Sequence, residues 1–136
     1  MGICSLDKMC TLIRCGDVTA YKNLITYYMA LGPATTLEEA HFRIKIIDAL
    51  SCLPRSTPFI DLYVKELART PPNNQTRSLY TRILKELGRY SQEEICGPLE
   101  QLLSQVKYSH KIKRRIKEVA GLIETNEDDW YFIIRG

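Results

Sequence analysis

Apolar residues recur at helical spacing along most of this chain. Ile60, Tyr63, Val64 and Leu67 fall on one side of a helix turning about 100° per residue. So do Ile95, Leu99, Leu102, Leu103 and Val106, and again Ile112, Ile116, Val119 and Ile123. Two-residue alternation is not evident. The nearest approach is Trp130-Tyr-Phe-Ile-Ile134, a continuous apolar run at the end. A lone strand would have nothing to pair with, so this run is read as a terminal helix. The pattern is that of an all-α fold.

The polar positions punctuate these stripes. Asp17 precedes a helix over residues 18–31, which Gly32-Pro33 closes. Thr36-Leu-Glu-Glu39 has capping-box spacing, in which hydroxyl and carboxylate each satisfy an orphan backbone N–H. The helix that follows is expected to reach Leu53, before Pro54. Thr57 before Pro58 starts another, running to about Arg69 and ending at Pro71-Pro72-Asn73-Asn74. A helix over roughly 75–90 comes next. Ser91-Gln-Glu-Glu94 is a second capping box, with an expected break near Gly97-Pro98 before the helix proceeds to Lys107. Further helices are expected at 109–124 and, short and capped by Thr125, at the C-terminus. Leu6 to Arg14 adds one at the N-terminus.

Three of these segments share a pattern: Lys45 to Leu53, Arg82 to Tyr90, and Arg114 to Leu122. Ile47, Leu84 and Ile116 take equivalent places, 37 residues apart (47 to 84) and 32 apart (84 to 116). A period in this range points to helical pairs that bury a core only by stacking on their neighbours.

The passage from Pro98-Leu-Glu-Gln-Leu-Leu-Ser-Gln-Val-Lys107 through Tyr108-Ser-His110 to Lys111-Ile-Lys-Arg-Arg-Ile-Lys-Glu-Val-Ala-Gly-Leu-Ile123 resembles the junction between two HEAT repeats. The HEAT/armadillo-like likeness extends over about residues 37–134. The uneven offsets and the wide 71–74 linker depart from its pattern. It implies a rod or arc whose faces bind other proteins, and sometimes nucleic acids, without catalysis. The architecture expected is a short α-solenoid or solenoid-like bundle of seven to eight helices. It forms one domain over residues 1–136, with a helix pair in 1–35 and hairpins in 36–136.

Composition is that of a soluble globular domain, with 45% apolar and 26% charged residues in 136. The apolar runs fall short of the roughly 20 residues that span a bilayer, and a secretory signal pattern is missing. Cys4, Cys10, Cys15, Cys52 and Cys96 are an odd set in neither disulfide nor zinc spacing. They read as reduced thiols, with Cys52 and Cys96 packed in helices, and place the protein in cytoplasm or nucleus. Met1 to Leu6 distantly resembles an N-myristoylation signal at Gly2 with an acylatable Cys4, but Leu6 stands where a hydroxyl residue is expected and Ser5 comes one place early.

The net charge of +3 matters less than its distribution. Lys107 to Lys117 holds six cations and no acid, whereas Glu124 to Asp129 holds four acids and no base. On a helical wheel with Lys107 at 0°, Lys111 falls at about 40°, Arg114 at about 340° and Lys117 at about 280°, away from the apolar stripe. Lys107, Lys111, Arg114 and Lys117, with Tyr108, are therefore the candidate partner-binding face. Such a face would attract an acidic or amphipathic peptide or a partner helix; the alternative is nucleic-acid phosphate. Its bland reading is a solvated surface pairing with nearby acids. Trp130 and Tyr131 form a second candidate surface, either a lid on the core or a dock for another subunit, giving a homodimer or heterocomplex.

Catalytic signatures do not emerge. His41 and His110 are far apart in sequence, and phosphate-loop, nucleophile-elbow and HExxH patterns are missing. Adjacent acids such as Glu93-Glu94 suit helix starts. The expectation is a non-enzymatic adaptor or assembly subunit without metal or cofactor.

Overall fold

The computed structural model describes Thr11 and residues 18–122. Among these the chain is all-helical, with six helices where seven or eight were expected: α1 (Val18–Met29), α2 (Leu37–Leu50), α3 (Thr57–Arg69), α4 (Arg77–Leu87), α5 (Gln92–Gln105) and α6 (His110–Ala120). The expected terminal helices lie outside the described residues, apart from Thr11, which is helical. The same holds for Gly2, Cys4, Cys10, Cys15, Trp130 and Tyr131.

Helix contacts run in two series. α1 packs on α3 and α3 on α5; α2 packs on α4 and α4 on α6. Within pairs, α1 meets α2, α3 meets α4, and α5 meets α6. Each helix therefore spends its apolar stripe on near neighbours in sequence. One core results, reaching from Leu24 and Tyr28 of α1 through Ile60, Tyr63 and Leu67 of α3 to Ile95 and Leu99 of α5. Ile47, Leu84 and Ile116 are all buried in it, on the successively packed α2, α4 and α6. Hydrogen bonds between elements repeat one separation of 34 residues: Arg82 Nε to Asp48 Oδ1, Arg115 Nη2 to Thr81 Oγ1, and Arg55 Nη1 to the Arg89 carbonyl.

Side-chain caps open three of the six described helices, at Thr36, Ser91 and Ser109. The Ser91 box is complete: the serine Oγ accepts from Glu94 N–H, and the Glu94 carboxylate accepts from Ser91 N–H. At Thr36 only half of the box is as expected. Thr36 accepts from Glu39 N–H, but the carboxylate turns to the N–H and hydroxyl of Thr35 and to the Thr36 hydroxyl. α3 begins one residue earlier than its proline suggested, with Ser56 at the N-cap and no side-chain capping bond.

Helix ends differ more. α2 stops at Leu50, so Cys52 lies in the turn beyond it and is exposed; it does not pack in a helix as expected. α5 runs unbroken through Pro98, so the break expected at Gly97 does not occur. Proline there removes the N–H that would reach the Glu94 carbonyl and crowds that carbonyl with its ring, and the helix continues without a break. α6 ends at Gly121, φ +70°, before Glu124 is reached. Leu122 N–H bonds to the Lys117 carbonyl and Gly121 N–H to that of Glu118, the paired bonds of a Schellman turn.

Candidate functional site

Most arginines of this fold are consumed by acids. Glu66, fully buried on α3, accepts from Arg43 of α2 at 2.7 Å and from Arg69 at 2.9 Å. Arg69 also donates to the carbonyls of Tyr28, Met29 and Leu31, satisfying the orphaned C-terminal end of α1. Its guanidinium lies 5.3 Å from the Tyr28 ring centroid. Burial pushes the Glu66 carboxyl up, but the bonds from Arg69 and Thr70 and the charge of Arg43 outweigh this. The carboxyl is held below its usual range. The Tyr28 hydroxyl feels that charge without making a hydrogen bond of normal geometry; with burial the larger cause, its pKa is raised.

A parallel arrangement serves α4. Buried Glu86 accepts from Arg82 at 2.8 Å and Arg89 at 3.1 Å, and Arg82 reaches on to Asp48 at 2.7 Å. Arg114 is 3.5 Å from Glu118. Arg43–Glu66 and Arg82–Asp48 join neighbouring helices, and the other pairs lie along a single helix or its end.

Two arginines and one lysine are arranged differently. A cleft of about 250 Å³ opens between the 71–76 turn with the start of α4 and the start of α6. Arg77, Lys111 and Arg115 line it together with Asn73, Asn74 and Ser109, and its lining contains no acid. Arg77 donates to Asn74 Oδ1 at 3.3 Å and Arg115 to Thr81 Oγ1 at 3.2 Å, both neutral acceptors. Among the described residues neither these two arginines nor Lys111 has a carboxylate partner.

The local sequence builds this shape. Asn73 Oδ1 accepts from the N–H groups of Gln75 and Thr76, and the Thr76 hydroxyl donates to the Pro71 carbonyl at 2.8 Å. The turn is thus held by its own side chains, delaying the helix from the expected Gln75 to Arg77. Because the Thr76 hydroxyl is engaged there, no side chain caps α4. Its first N–H groups keep the positive end of the helix dipole beside the cleft. Ser109, by contrast, caps α6 through Ile112 N–H.

The candidate residues from the basic run separate in space. Lys111 lines the cleft; Lys107, Arg114 and Lys117 do not. Tyr108 is half-buried, its hydroxyl donating to the Leu67 carbonyl at 2.8 Å and its ring edge-on to Tyr80. Its hydroxyl is thus engaged with the end of α3. Arg77, Arg115, Asn73 and Asn74 were not anticipated. The signal that finds them is the stacking register, since Arg77 and Lys111 stand 34 residues apart, like Thr81 and Arg115.

His41 and His110 are both exposed, and no cluster of potential metal ligands occurs among the described residues. Nor is any described helix long and apolar enough to cross a membrane. No protein-family model, curated protein or solved structure matches the chain.

Proposed function

We propose that this protein is a non-enzymatic interaction module, a small adaptor or assembly subunit whose six described helices form a short HEAT-like α-solenoid. It holds an acidic segment of a partner protein in the cleft of Arg77, Lys111 and Arg115. Support for the solenoid comes from the two contact series and from the 34-residue spacing of the bonds between elements. Support for the binding role rests on one observation. Three cations without carboxylate partners converge on one cleft, in a molecule whose other acid-facing arginines are already paired. Like charges held together repel, and an anionic partner relieves that cost while drawing its ligand in from a distance. Cytoplasm or nucleus suits such a module.

The test is fluorescence anisotropy with a labelled Glu/Asp-rich peptide and a neutral peptide of equal length. The acidic peptide should bind, weaken as salt rises, and lose affinity on Lys111→Gln and Arg115→Gln. Equal binding of the two peptides, or an acidic peptide indifferent to both substitutions, refutes the assignment of the cleft.

A further inference from the structure

We infer that the cleft is built for a phosphoryl group, so that the partner segment it takes carries a phosphorylated side chain. This rests on the proposed acidic-segment reading and sharpens it. A carboxylate offers one negative charge and two oxygens. Glu66 and Glu86 show the chain's own way of holding a carboxylate: two arginines each, and no lysine. The cleft gathers more. Arg77, Lys111 and Arg115 supply three positive charges, and the amides of Asn73 and Asn74 and the Ser109 hydroxyl add neutral hydrogen-bonding groups.

A phosphomonoester carries about −1.5 to −2 charges near neutrality and three strong acceptor oxygens. That matches three cations better than a carboxylate does. The two arginines are also partly immobilised. Each is steadied by one bond to a neutral oxygen, Asn74 Oδ1 for Arg77 and Thr81 Oγ1 for Arg115, leaving the other guanidinium donors for a ligand. The uncapped start of α4 adds its dipole to the same side. The cleft is a short opening between two helix starts and not a track along the molecule. It suits one dianionic group on a side chain more than a run of backbone phosphates.

The test uses the full chain and three labelled peptides of one sequence, with serine, glutamate or phosphoserine at the centre of an otherwise neutral stretch. Phosphoserine should bind about tenfold or more tighter than glutamate. Lys111→Gln alone, an exposed side chain whose loss leaves the fold intact, should remove most of that preference. Arg77→Gln combined with Arg115→Gln should level the two peptides, and amide NMR signals of Arg77, Ser78 and Ile112 should move only with the phosphopeptide. If glutamate and phosphoserine bind alike and both depend on Lys111, the phosphoryl inference is overturned while the acidic-segment reading stands. If no peptide binds, and equally if a single-stranded oligonucleotide binds with affinity falling log-linearly in salt while the peptides do not, both are overturned.

Discussion

Arg43 of α2 and Glu66 of α3 meet at 2.7 Å with 3% and 0% of their side chains exposed. The ion pair is closed over by the loop it organises. Arg43 also donates to the Gly32 carbonyl, and Thr70, bonded to the same Glu66 oxygen, accepts from Ala34 N–H. The link from α1 to α2 is therefore pinned to the end of α3 by polar bonds in a buried site. Removing one member leaves the others charged and unpaired. Glu66→Gln should destabilise the fold by roughly 3–5 kcal/mol in urea denaturation. A loss below about 1 kcal/mol would show the site to be wet.

The same group sets an acid limit. The folded-state pKa of Glu66 is lowered, so its contribution is complete above the unfolded carboxyl value, about 4.3. It is lost as pH falls through the lower folded value. Wild type and Glu66→Gln should thus differ most near neutrality and converge at more acidic pH. A gap constant from neutral pH to about 3 would mean that Glu66 is not ionised in the folded protein.

Tyr80 and Tyr108 close the end of α3. Tyr108 donates to the Leu67 carbonyl at 2.8 Å, and the single Tyr80 hydroxyl proton is shared between the carbonyls of Thr70 at 2.6 Å and Leu67 at 2.9 Å. Tyr80→Phe should cost about 1–3 kcal/mol because the Thr70 carbonyl loses this donor in a buried site. Tyr108→Phe should cost less, about 0.5–1.5 kcal/mol, since Leu67 keeps its bond to Tyr80. The double variant should exceed the sum of the singles because only then is the Leu67 carbonyl stripped of both hydroxyls. A strictly additive thermal-denaturation cycle would separate the two bonds.

Gly121 is fixed by two independent constraints. Its φ of +70° favours glycine, and a Cβ there would fall 2.5 Å from the side chain of Gln92 at the start of α5. Gly121→Ala should cost about 1–2 kcal/mol for the backbone, plus whatever Gln92 loses in moving. Adding Gln92→Ala should recover the steric part and leave the backbone part. Full recovery in the double variant would show that the turn carries no conformational cost.

Helix starts were legible wherever a single side chain closes a local ring. Ser91 and Glu94 do this within four residues, so their spacing alone predicts the box. Helix ends were less so. Gly121 ends α6 by backbone conformation, and Asn73 and Thr76 hold a turn whose competition with the helix the apolar pattern does not record. The buried equivalence of Ile47, Leu84 and Ile116 was readable because it is periodic. The cleft was readable only in part. Lys111 belongs to an evident basic run, but Arg115 falls close to the apolar stripe on the wheel and Arg77 stands in no run. Only the packing of α4 against α6 brings these three together.

That convergence has a consequence for stability which needs no partner. An anion that binds the folded cleft and not the unfolded chain stabilises by RT ln(1 + [L]/Kd), about 0.4 kcal/mol when free ligand equals Kd. For a chain of this length that is a Tm rise of about 1–2 °C, growing with the logarithm of concentration. Phosphate also stabilises proteins generally by exclusion from their surface, so wild type alone cannot isolate the site. Exclusion acts equally on a variant with Lys111→Gln, Arg77→Gln and Arg115→Gln, whereas binding does not. Inorganic phosphate should therefore raise the wild-type Tm more than the variant's at every concentration, with chloride at equal ionic strength as the control. Parallel Tm curves for the two proteins would mean that the three cations repel one another without gathering an anion.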